Sequence, residues 1–193
     1  MAKQKRGTRS ILFDAPPILT AWASVAGKKE SEGPLQAYFD YTNGDTYFGE
    51  KTWEKAECHM QEIALETLLQ KAGKKKQDVD LVFSGDLLNQ CISSSFSLRN
   101  TGLPALGLYG ACSTMGEALG LGAMAVNAGY ADQVMSMASS HFATAEKQFR
   151  FPLAYGNQRP MSATWTVTGC GAVVIAGDRK NGLARIAGIT TGR

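Results

Sequence analysis

The chain has 193 residues, 44% of them apolar and 19% charged, enough for one globular domain with a sizeable core. Its formal net charge of +3 is too small to argue for nucleic acid, and the excess sits largely in Lys3, Lys5, Arg6 and Arg9. No signal peptide is expected, because Asp14, Pro16 and Pro17 break the early apolar runs; the most apolar window, 118–131, is too short and glycine-rich for a membrane span.

Residues 1–9 read as a flexible basic tail, with contact to an anionic membrane surface or nucleic acid as the alternative. Residues 10–193 read as a single domain. Segments 10–13 and 18–26 are extended, around an Asp-Ala-Pro-Pro turn. Segment 27–34 is polar and glycine-bearing, hence a loop, and Asn43-Gly44-Asp45 is a turn signal. The clearest amphipathic helix is 53–72, where Trp53, Ala56, Met60, Ile63, Ala64, Leu68 and Ala72 recur at steps of three and four. Thr52 is its expected N-cap and Gly73 its expected C′ residue.

Further on, 79–83 is a short strand, a helix is expected from about Leu87, and 103–109 is another strand. A glycine-rich helix is expected over 113–128 and a strand over 133–138. Segments 164–168 and 171–176 read as two strands joined at Gly169-Cys170, with a last strand over 184–190. This alternation predicts an α/β fold, a mainly parallel sheet covered by helices.

Cys58, Cys91, Cys112 and Cys170 include no CxxC pair, and their spacing suggests neither a disulfide framework nor a metal site. Cys112 draws attention because it lies between an expected strand and an expected helix. That position puts a thiol at the positive end of a helix dipole, beside free backbone N–H groups. Gly116, Gly120 and Gly122 thin the helix behind it so that other backbone can approach. A nucleophile, a residue lining a ligand site and a buried small hydrophobe all remain open for it on this ground alone.

Five stretches carry a resemblance that narrows the choice: FDAPPILTAWASVAGKKESEGPL (13–35), FSGDLLNQCISSSF (83–96), LGLYGACSTMGEAL (106–119), SSHFATAEKQFRFPLAYGNQRP (139–160) and SATWTVTGCGAVVIA (162–176). Through them the chain resembles the thiolase superfamily and, within it, the stage V AD sporulation family. The resemblance implies the N-terminal half of a thiolase-like fold, with Cys112 at the superfamily's nucleophile position and a buried glycine-rich helix behind it. Condensing enzymes draw a histidine, and an asparagine or second histidine, from the other half. This chain offers only His59 and His141, which is not a complete catalytic set.

The family resemblance therefore implies binding rather than catalysis: a subunit that takes part in moving dipicolinic acid, or its calcium chelate, into the developing spore. It implies no cofactor, calcium entering only as the chelate. It further implies a peripheral position at the inner spore membrane beside membrane proteins of the same transport system, and a homodimer. Acyl transfer through Cys112, of the ketoacyl synthase III type, is the alternative. A flat pyridine with two carboxylates needs donors or cations and flat packing. The candidates are Asp86, Asn89, Cys112, His141 and Arg159, with Arg150 weighed as a surface charge. Asp86 is equally a helix cap, and Asn89 a partner for buried backbone.

Overall fold

The computed structural model describes residues 5–149, 161–162, 164–177 and 182–192. Its centre is a seven-stranded mixed sheet. In chain order the elements are β1 (Lys5–Arg6), β2 (Ser10–Leu12), β3 (Ile18–Ala26), α1 (Lys28–Ser31), β4 (Tyr41–Thr42) and α2 (Trp53–Ala72). Then come β5 (Leu81–Gly85), α3 (Ile92–Leu98), β6 (Ala105–Leu108), α4 (Thr114–Asn127), β7 (Gln133–Ser140) and α5 (Phe142–Phe149). The chain continues through β8 (Gly169–Ala176), β9 (Ala184–Arg185) and β10 (Gly188–Thr190). The main sheet runs β4-β3-β8-β7-β5-β6, with β9 also pairing β3, and a smaller sheet runs β1-β2-β10.

The expectation of a mainly parallel sheet holds for β3–β4, β5–β6 and β5–β7. It fails at β8, which lies antiparallel to both β3 and β7. Segment 164–168 is not a strand: Thr168 N donates to Glu30 Oε1 (3.1 Å) and Thr166 Oγ1 to Glu146 Oε1 (3.0 Å). The Glu30 carboxylate takes the Thr168 N–H that a sheet neighbour would otherwise use, and Gly169-Cys170 lies inside β8 rather than joining two strands. The expected loop over 27–34 contains α1, and the expected final strand divides into β9 and β10. The basic stretch, expected as a tail, includes β1, which pairs with β2 through a turn where Gly7 has φ +60°.

α2 forms where its apolar period predicts. Thr52 Oγ1 accepts from Lys55 N (3.3 Å), and Gly73 closes the helix at φ 61°. Alternation along the strands then sorts side chains to two faces. Val82, Met135 and Val174 join Met60, Ala64 and Leu68 of α2 on one face. Phe83, Val134 and Ile175 join Ala118, Ala125 and Val126 of α4 on the other. The smaller sheet covers part of α4, where Ile189 Cγ2 stands 3.4 Å from the place a Cβ on Gly120 would occupy. α4 is thus held between the main sheet and β10.

Candidate functional site

The turn between β6 and α4 is built by its own side chains. Gly110 enters it, Ala111 adopts φ 48°, and a single 3₁₀ turn over Ala111–Ser113 carries Cys112 into α4. A left-handed alanine is costly, and three bonds hold it in place. Thr114 Oγ1 accepts from Gly110 N (3.2 Å) and donates to Ala111 O (2.8 Å), while Ser113 Oγ donates to Gly110 O (2.7 Å). The turn also packs closely against its neighbours. A Cβ on Gly85 of β5 would fall 2.4 Å from Thr114 Cγ2, and one on Gly110 would fall 2.6 Å from Glu117 Oε2.

Cys112 emerges from this turn exposed. It lines a groove of about 840 Å³ that runs along α4 toward β10. Ser113, Gly116, Glu117, Gly120, Leu121 and Met124 form its helical wall, at steps of three and four; Ile186, Ile189 and Thr191 face them. Glu117 is the charged residue among those described around the groove. The floor is apolar, one end is the positive end of the α4 dipole, and a carboxylate stands beside that end.

Cys112 alone of the expected binding residues lines this groove among the described residues. Asp86 is buried with both oxygens occupied: Oδ1 accepts from Leu88 N (2.9 Å), and Oδ2 from Ser94 N (2.8 Å) and Ser94 Oγ (2.7 Å). It caps α3 from a distance, because Cys91 at the N-cap has φ 52° and offers no side-chain bond. Burial pushes its carboxyl above the ordinary value, opposed by those same hydrogen bonds. Asn89 is exposed on the following 3₁₀ turn. His141 is fully buried, its Nε2 donating to Thr46 O (2.8 Å) and its Nδ1 accepting from Ala143 N (3.2 Å). Burial holds it below the usual histidine range, hence neutral. The other histidine, His59, lies on α2 with Nδ1 3.0 Å from Phe48 O. Arg150 and Arg159 fall outside the described residues.

One polar cluster escaped the sequence reading. Glu57 and Gln61 sit on the buried face of α2. Glu57 accepts from Ser139 Oγ (2.8 Å) and Thr144 Oγ1 (2.6 Å), while Gln61 donates to Ser139 Oγ (2.6 Å) and accepts from Ser97 Oγ (2.7 Å). Burial pushes the Glu57 carboxyl up to about 7. The signal was available: residues 57 and 61 are one turn apart and fall on the apolar stripe. The groove wall at 113, 116, 117, 120, 121 and 124 was equally legible as a helical face, whereas its β10 side needed the fold.

Known proteins share this fold. Solved structures of similar fold include the 3-oxoacyl-[acyl-carrier-protein] synthase III of Aquifex aeolicus, with TM-score 0.54 and 17% identity over 83% of this chain and 53% of that one. Another is OleA of Xanthomonas campestris, with TM-score 0.53 and 15% identity over 86% and 57%. At these identities the likeness concerns the fold alone. In sequence, the chain is 42% identical to stage V sporulation protein AD of Bacillus subtilis (strain 168) over 170 residues, 88% of this chain and 50% of the relative. It spans about half the length of that relative. The family model described as stage V sporulation protein AD matches residues 7–193, so the chain belongs to the stage V sporulation protein AD family.

Proposed function

We propose that the chain serves sporulation by binding dipicolinic acid, as its calcium chelate, during uptake into the developing spore, as a non-catalytic thiolase-like subunit of the spore transport system. The observation that carries the reading is the groove at Cys112 in a member of this family. The positive end of the α4 dipole suits one carboxylate, and Leu119, Leu121, Met124 and Ile189 offer apolar packing for the ring. Glu117 favours the chelate over the free dianion, because a hard cation between two carboxylates removes their repulsion and prefers oxygen ligands. Calorimetric titration tests this: heat of binding with calcium and dipicolinate together is expected, with weaker binding to dipicolinate alone. Glu117→Gln is expected to narrow that difference. Binding of neither form by folded protein would refute the reading.

The non-catalytic part of the proposal is supported by the engagement of both histidines elsewhere, which leaves neither as a base against Cys112. Acyl-coenzyme A should therefore leave no adduct on Cys112 by mass spectrometry, and an adduct lost in Cys112→Ala would favour the condensing-enzyme alternative. The same Cys112→Ala substitution is expected to weaken dipicolinate binding only by the lost contact. Homodimerisation belongs to the proposal as well. β6 is an edge strand whose Ala105, Leu106 and Gly107 are exposed, the kind of edge that another strand covers. So does peripheral membrane association beside membrane proteins of the same system; among the described residues no helix is long and apolar enough to span a bilayer.

A further inference from the structure

The basic residues near the start of the chain are placed by the small sheet. In the small sheet Lys5 pairs with Ile11 and Ile11 with Ile189, so these three share a face. Arg6, Ser10 and Thr190 share the other, where Ser10 Oγ and Thr190 Oγ1 are 2.9 Å apart. The register continues to Arg9 and Thr191, since Thr191 N donates to Arg9 O (3.1 Å). Lys5 and Arg9 therefore stand on the face that Ile189 turns toward α4, and Arg6 on the opposite one. Between them is a cleft of about 360 Å³ lined by Lys5, Thr8, Arg9, Ser10, Ile11 and Thr191. No carboxylate is among these residues, and among the described residues neither cation has an ion pair.

We propose that this cleft, between the β1–β2 hairpin and β10, is a binding site for a phosphate-type oxyanion, with Lys5 and Arg9 as its cations. Arginine presents a planar fork that matches two phosphate oxygens, lysine adds a mobile point charge, and the Thr8 and Thr191 hydroxyls are donors within the same cleft. The pairing to β2 holds Lys5 opposite Ile11, so its ammonium is delivered to one face instead of being averaged over a free tail. The site is independent of the dicarboxylate reading, although Thr191 lines both the cleft and the groove at Cys112.

The ligand is either free phosphate or the phosphodiester of a lipid headgroup, and two arms separate them. Inorganic phosphate is titrated against the full chain while the amide resonances of Thr8 and Thr191 are followed. In parallel, the chain is sedimented with vesicles of phosphatidylglycerol or of phosphatidylcholine. Saturable shifts with inorganic phosphate assign the site to the free ion; binding to phosphatidylglycerol vesicles alone assigns it to the headgroup. In either case Lys5→Gln and Arg9→Gln should each weaken binding about fivefold, and Arg6→Gln much less. Absence of binding in both arms, or an equal loss with Arg6→Gln, overturns the proposal, the latter because it would mean diffuse charge rather than a site. Far-ultraviolet circular dichroism of each variant verifies that the small sheet and the remainder of the fold persist.

Discussion

Glu57 is a carboxylate with no cation among its hydrogen-bond partners. Ser139 and Thr144 both donate to it, and when protonated it can donate to Thr144 Oγ1, whose own proton then turns to His141 O at 3.1 Å. The folded state therefore holds this proton at pH values where an unfolded chain, at about 4.5, has lost it. Between about 4.5 and 7 the native state binds more protons, so the contribution of Glu57 to stability falls as pH rises, and levels off above 7. Glu57→Gln keeps the shape and removes the charge. It should stabilise the protein by roughly 3 kcal/mol at pH 8 relative to its effect at pH 4, read from urea midpoints. His141 works with the opposite sign, its neutral form being favoured by burial, and is common to both proteins in that comparison. Asp86 offers a contrast: Asp86→Ala would leave the Leu88 and Ser94 N–H groups buried without acceptors, and a loss of about 2–4 kcal/mol is expected in denaturant.

At the scale of elements, the glycines of α4 divide by what surrounds them. A Cβ on Gly122 would stand 2.8 Å from Ile175 Cδ1 and 3.0 Å from Ser136 Oγ, because the helix lies directly on β7 and β8. At Gly116 nothing stands within 4 Å, on the open wall of the groove. Gly122→Ala should therefore destabilise by about 1–3 kcal/mol through overpacking. Gly116→Ala should stabilise by up to about 1 kcal/mol through helix propensity. Thermal unfolding of the two variants side by side checks both signs. Several elements were readable from sequence: α2 falls where its spacing and caps place it, and β3 and α4 lie where an extended segment and a glycine-rich helix are expected. What the sequence hid had a tertiary cause. Segment 164–168 has the composition of a strand, but its partners are the carboxylates of Glu30 and Glu146, contributed by helices far away in the chain. α5 follows β7 with only His141 between them, a junction stabilised by Phe142 N donating to Thr168 Oγ1 (3.0 Å), which no local pattern announces. At the candidate site the resemblance put Cys112 at the head of a buried helix. It could not reveal that Asp86 and His141 spend their polar atoms on the fold, because capping and ligand binding ask for the same residue types.

On the scale of the whole molecule, the free edge of β6 sets the expected association. Leu106 is 53% exposed there, with Phe96 and Tyr109 also exposed nearby in the chain. A Leu106→Lys substitution places a charge on that edge and should shift the proposed dimer to monomer in light scattering, while leaving circular dichroism unchanged. The order of strands has a different consequence. β8 is the bridge between β3 and β7, yet it is made long after both of them. Without residues 169–176, the β3–β4 pair and the β7–β5–β6 trio have no strand in common, and the edges that β8 covers would offer their backbone donors and acceptors to other polypeptides. β8 thus closes the sheet from its middle, so a peptide mimicking residues 169–176 competes for two strand edges at once.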